Sequence, residues 1–120
     1  MRNSLQLDRV VEGATTVLTV GGELDCNTAP LLSELVEGSM AAHPSQLLLD
    51  LSGCSFLDSG GCRALAVARR LVGDGRIGVA CPESNRPVRR VLEIVGLIEA
   101  LDVRERLGDF ALPDPHGLPA

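Results

Sequence analysis

Apolar positions change their period several times along the chain, and each change marks an element. Leu5, Leu7 and Val10 alternate with polar neighbours, Glu12-Gly13 breaks the run, and Thr15 to Val20 (TTVLTV) is rich in β-branched residues. That pattern predicts an antiparallel hairpin. Beyond Gly21-Gly22 the spacing becomes helical: Leu31, Leu32, Leu35 and Val36 form one stripe, behind Asn27 or Thr28 as cap and with Pro30 tolerated in the first turn. Leu47 to Leu51 is short and almost wholly apolar, as suits a parallel strand covered on both faces, and Asp50 interrupts it. Cys62, Leu65, Ala66, Arg69 and Arg70 then recur at helical spacing, Ala64, Val67, Ala68 and Leu71 broaden the apolar face, and Gly73-Asp74-Gly75 stops the helix. Ile77 to Ala80 reads as another buried strand. Ser84 or Asn85 caps a third helix carrying Val88, Val91, Leu92 and Val95 on one side, Gly96 ends it, and Leu101 to Val103 reads as a last edge strand.

The order ββαβαβα with a final β predicts a single α/β domain over residues 1–112, with flanking helices on a mixed, mostly parallel sheet of four to five strands. The last eight residues, PDPHGLPA at 113–120, hold three prolines and little to bury, and are expected to form a flexible tail. In such folds ligands and partners meet the loops that leave the carboxyl ends of the strands. The Leu47 to Leu51 strand leads through Gly53 to Leu57 into Asp58-Ser59-Gly60-Gly61, so Ser59 is expected at the rim.

Composition removes several functions. The formal charge is −5, from 11 basic and 16 acidic residues, and the aromatics are two phenylalanines, so both the basic footprint and the stacking rings of a nucleic-acid binder are missing. No apolar run approaches the roughly 20 residues that span a bilayer, and the polar start MRNSLQLDRV lacks the apolar core of a signal peptide, so a cytosolic monomer is expected. Cysteines at 26, 54, 62 and 81 match neither a redox pair nor a paired zinc-ligand pattern, and are expected to be reduced, mostly buried thiols. The two imidazoles, His43 beside Pro44 and His116 in the tail, lie far from Ser59 in sequence, which leaves a serine nucleophile without an adjacent base. No cofactor or metal site is indicated. GDGRIG at 73–78 follows a helix and precedes a strand, the reverse of a phosphate cradle. Arg69 and Arg70 with Arg86, Arg89 and Arg90 read first as a solvated face.

From the local motif alone, Ser59 reads first as a helix N-cap, a role compatible with modification. Asp58 reads as a cap, a turn former or a partner contact. Gly60 and Gly61 read as turn geometry, and Asp25 as a cap or a solvated charge. If the helix starts near Gly60, a phosphate on Ser59 would sit favourably at its N-terminus without unfolding anything.

GGELDCNTA at 21–29 and LLLDLSGCSFLDSGG at 47–61 resemble the two signature stretches of the STAS family, in particular bacterial anti-sigma factor antagonists. Proteins it resembles carry GE(L/I)D after the second strand and D-S-(S/T)-G before the second helix, and Asp25, Asp58, Ser59 and Gly61 fall on matching positions. The resemblance implies that Ser59 is the residue phosphorylated by a partner kinase, with Asp25, Asp58, Gly60, Gly61 and Cys62 at the partner-binding turn. It implies that the unphosphorylated form binds an anti-sigma factor of the GHKL serine-kinase type and frees a sigma factor, that phosphorylation reverses this, and that a PP2C-type phosphatase resets it. Two positions depart from the pattern: Gly60 stands where Ser or Thr is usual and Cys62 where Leu is common, which predicts a looser turn with Ser59 as its only hydroxyl. The competing readings are a non-phosphorylated STAS-like subunit of a signalling scaffold or lipid-transport complex, and a small enzyme using Ser59.

Overall fold

The structure is a computed structural model that describes residues 4–111. The tail expected at 113–120 lies outside the described residues. Strands β1 (Leu5–Glu12) and β2 (Thr15–Leu24) form the expected antiparallel hairpin, in register from Leu5 opposite Gly22 to Glu12 opposite Thr15. Its tight turn places Gly13 at φ 60°, a conformation that suits a residue without Cβ. Helix α1 (Ala29–Ser39) follows, extended by a 3-10 turn at Met40–Ala42, and leads to β3 (Gln46–Asp50), which pairs in parallel with the first half of β2.

The sheet has six strands, not four to five, and the second half of β2 explains the difference. From Gly22 onward, with a register shift between Gly22 and Glu23, β2 pairs in parallel with β4 (Cys54–Leu57), a strand that carries on where β3 has stopped. Its sequence, CSFL, is too short for a period to emerge, and it reads as a connection. Then come α2 (Ser59–Val72), β5 (Arg76–Ala80), α3 (Arg86–Ile94), α4 (Leu97–Ala100) and the edge strand β6 (Val103–Arg104). The main path across the sheet is β1-β2-β3-β5-β6, with every contact parallel except β1-β2.

The pleat of β3 divides the core. Leu47, Leu49 and Leu51 join Leu18, Leu24, Leu32, Leu65, Val88 and Leu92 in the main cluster between sheet and helices. Leu48 points the other way, to Ala80 and Phe110. That reverse face is closed by the 3-10 turn Leu107–Asp109 and the Phe110 ring after it, which lies where a Cβ on Gly78 would otherwise be. β3 is therefore covered on both faces, as its unbroken apolar run predicted. Four apolar-face positions are corrected: Leu31 is 51% exposed, outside the α1 stripe, Ala66 and Leu71 are exposed on α2, and Val95 follows the end of α3 and is 47% exposed. Among the described residues no helix is long and apolar enough to cross a membrane.

Candidate functional site

The carboxyl ends of β2 and β4 lie side by side, so the two loops that leave them, Asp25–Thr28 and Asp58, meet at the heads of α1 and α2. Each head is tied by an aspartate. Asp25 Oδ1 accepts the backbone N–H of Asn27 (2.9 Å) and of Thr28 (3.0 Å), while Thr28 Oγ1 donates to the Glu23 carbonyl (2.7 Å) and accepts the Asp25 N–H (3.0 Å). Asp25 is 8% exposed and its carboxylate is engaged with its own turn. It braces the start of α1 and does not line the groove beside Ser59. Thr28 occupies the N-cap position as expected, yet no side chain caps the first N–H groups of α1, and Asp25 instead holds the turn that precedes them.

At α2 the cap is Asp58, not Ser59. Asp58 has extended backbone dihedrals, its Oδ1 accepts the Gly61 N–H at 3.0 Å, and its carbonyl accepts the Cys62 N–H at 2.9 Å. Its second oxygen, Oδ2, accepts the Cys26 N–H at 3.2 Å, which fastens the β2–α1 loop to the head of α2. Ser59 is thus the first helical residue, exposed, with its hydroxyl uncommitted to the turn among the described residues. The rim position expected for it is observed.

The two glycines are needed for close approach rather than for turn dihedrals, since neither has a positive φ. A Cβ on Gly60 would stand 2.6 Å from Cys26 Cα and 2.8 Å from Cys26 Cβ. One on Gly61 would stand 2.5 Å from the Leu24 carbonyl oxygen and 2.7 Å from Leu57 Cδ1. The departure from Ser or Thr at position 60 therefore goes with a tight contact, and the looser turn expected from it is corrected. Cys62 is 7% exposed and belongs to the main core, directly under this turn. Burial, with the Asp58 charge adding to it, pushes its thiol up.

Between α1 and α2 runs an open groove of about 580 Å³, lined by Cys26, Ala29 and Pro30 on one side and by Ser59, Arg63 and Val67 on the other. Cys26 is the one exposed cysteine of four, all of them free. Neither Cys26 nor Arg63 stands out in the sequence as part of the site. A signal for Arg63 is present, since position i+4 from Ser59 shares its helix face. For Cys26 there is none, since its place depends on β4 pairing with β2. A further tie comes from Asn85, at the N-cap of α3, whose Nδ2 donates to the carbonyls of Leu51 (3.2 Å) and Cys54 (2.9 Å) and so fixes the connection into β4 from behind.

Among the described residues no imidazole lies near Ser59. His43 follows the 3-10 turn after α1 and lines a hollow with Leu71 and Val72, at the C-terminal end of α2. Ser59 is at the other end of that 14-residue helix, about 20 Å away at 1.5 Å per residue. Nor is the Arg cluster wholly solvated: Arg89 Nη1 donates to the Cys81 carbonyl at 2.7 Å and reaches Glu105 at 3.5 Å, and Arg69 Nε donates to the Ala100 carbonyl at 3.2 Å. Among the described residues no three His, Cys, Asp or Glu side chains gather as metal ligands.

What this surface offers is a hydroxyl on a braced rim, beside a groove. Comparison with known proteins agrees with a binding module of one family. The anti-sigma-F factor antagonist RsfB of Mycobacterium tuberculosis is 34% identical over 94 residues, 78% of this chain and 75% of that protein. The crystal structure of an anti-sigma factor antagonist from Mycobacterium paratuberculosis superimposes with a TM-score of 0.82 at 29% identity, covering 91% of this chain and 92% of that one. The phosphorylated form of the Bacillus cell fate determinant SpoIIAA shares the fold, with a TM-score of 0.61 at 19% identity over 88% of this chain and 95% of that one. The STAS domain model matches residues 6–110, nearly the whole described length, and the chain belongs to the STAS domain family.

Proposed function

We propose that this protein is an anti-sigma factor antagonist whose binding is switched off by phosphorylation of Ser59. In the unphosphorylated form it binds an anti-sigma factor of the GHKL serine-kinase type through the rim around Asp25, Asp58 and Ser59 and the adjoining groove, and the sigma factor is released. The observation that carries this reading is that Ser59 is exposed at the first position of α2 while Asp58 does the capping, so the hydroxyl can be modified without loosening the helix. Gly60, Gly61 and Cys62 contribute by letting the two loops close on each other beneath that hydroxyl.

In the modification the Ser59 Oγ forms a bond to the γ-phosphorus of the kinase's ATP, the bond from that phosphorus to the β-phosphate oxygen breaks, ADP leaves, and the hydroxyl proton goes to a base on the kinase. The product adds about −1.5 to −2 charges at the rim. Placed at a helix N-terminus, that charge favours the fold by about 0.3–1 kcal/mol, so the fold survives while a partner surface fitted to a small hydroxyl is repelled. A PP2C-type phosphatase restores the serine by hydrolysis.

The test is incubation with the anti-sigma factor that co-purifies from the host, with ATP and magnesium, followed by mass spectrometry. One phosphate on Ser59 is expected, with none on Ser59→Ala, which should stay bound. Ser59→Asp should bind far more weakly while melting within a few degrees of wild type. Equal labelling of Ser59→Ala would put the acceptor elsewhere. An absence of labelling with any co-purified ATPase would favour the scaffold or lipid-transport subunit instead.

A further inference from the structure

The α1–α2 groove has one fixed positive charge, Arg63, a helical turn beyond Ser59 and on the same face of α2. Side chains four apart on a helix have Cβ atoms about 5–6 Å from each other, within reach of a guanidinium and a phosphate. Arg63 is exposed, and it takes part in none of the ion pairs found among the described residues. By contrast Arg89 is paired with Glu105 and Arg104 with Asp102. The groove walls next to Arg63 are small or apolar: Ala29, Pro30, Ala64 and Val67. An unpaired guanidinium on such a wall, in a chain of net charge −5, is a local reversal of sign.

We propose that Arg63 reads the state of Ser59, offering its guanidinium to an acidic side chain of the anti-sigma factor when Ser59 is free and closing onto the phosphate in cis when Ser59 is modified. This rests on the reading of Ser59 given above. Phosphorylation then acts twice. It adds negative charge at the rim, and it removes the one cation the partner's acidic group could engage, taking the groove from one positive charge to a net of about −0.5 to −1. Planarity matters as well as charge, because guanidinium and phosphate pair through two parallel N–H···O bonds that an ammonium cannot reproduce.

Capture in cis has a signature that needs no partner. Phosphoserine is installed at position 59 by site-specific incorporation, and the second ionisation of the phosphate, ordinarily near pH 6, is followed by phosphorus NMR. The other titratable groups at the turn, Asp25, Cys26, Asp58 and Cys62, are common to every variant and cancel in the comparison. Wild type should ionise about half a unit lower than Arg63→Ala, with Arg63→Lys between them and the difference shrinking at high salt. Equal values in wild type and Arg63→Ala, at matched melting temperatures, overturn the capture. For the unmodified protein, Arg63→Glu should bind the anti-sigma factor about tenfold or more weakly than wild type, and an unchanged affinity overturns the contact. Because the phosphate is installed without a kinase, failure of the anti-sigma factor to label Ser59 would count against the proposed function and leave this measurement standing.

Discussion

Two neighbouring residues, Asp58 and Ser59, divide the capping of α2 and the exposed hydroxyl between them. Asp58 satisfies the Gly61 N–H and, with its other oxygen, the Cys26 N–H across a loop boundary, whereas Ser59 makes no comparable bond. Asp58→Ala should therefore lose a cap and an inter-loop tie together, costing about 1–2 kcal/mol. Ser59→Ala, at an exposed first helical position, should fall within about 0.5 kcal/mol of wild type. Urea denaturation of both variants checks this, and a larger loss for Ser59→Ala would return the cap to the serine. The sequence carries enough to see a cap at D-S-G-G, since both residues are favoured there. It does not carry the choice between them, because that depends on where the helix begins, and a boundary moves by a residue with the backbone angles of Asp58. Asp25 shows the same limit from the other side: its type suits a cap, but its engagement with Asn27 and Thr28, rather than with the groove, is set by the path of β2.

At the scale of elements, the long periodic pieces were legible and the short one was not. Hairpin, α1, β3, α2, β5 and α3 follow from runs long enough to show a period. β4 has four residues, and it becomes a strand because the far half of β2 would otherwise expose an unpaired edge there. That unread strand sets the geometry of the site, because β4 beside β2 brings the Cys26 backbone onto Gly60. A serine at 60, where the proteins this turn resembles carry Ser or Thr, should consequently be unwelcome here. Gly60→Ser is expected to lower stability by about 1–3 kcal/mol through overpacking against Cys26, with two loop backbones having to part. Gly61→Ala, against the Leu24 carbonyl, should do at least as much. The readout is the denaturant midpoint of each variant; a midpoint unchanged in Gly60→Ser would mean that the Asp25–Thr28 loop yields cheaply and that the close approach is incidental.

Across the whole molecule, composition sets an unusual titration. All eleven basic residues are arginine, and the chain has no lysine and no tyrosine, so between about pH 9 and 11 the side chains left to ionise are the four cysteines. Three of them are buried, and burial pushes each of these thiols up: Cys54 and Cys62 rise, and Cys81 reaches about 11. Their neutral form is favoured by the fold, while in the unfolded chain each ionises near its ordinary value of 9.0. Below that value both states hold their protons and the contribution is fully present. As pH rises from there towards 11 the unfolded chain loses protons first, so it binds fewer than the native state and stability falls. The drop should be on the order of 2 kcal/mol, measured by urea denaturation under reducing conditions at a series of alkaline pH values. Cys81→Ala should be less stable at neutral pH yet lose less on the way up, because its largest contributor is gone. Cys26, exposed at the rim, should be the one thiol that reacts with a bulky disulfide reagent in the native protein, with all four reacting once it is unfolded. A flat alkaline profile would show that the core admits thiolates at little cost, and prompt reaction of two or more thiols in the native protein would show that the head of α2, where Cys62 lies under the Asp58–Gly61 turn, opens on its own.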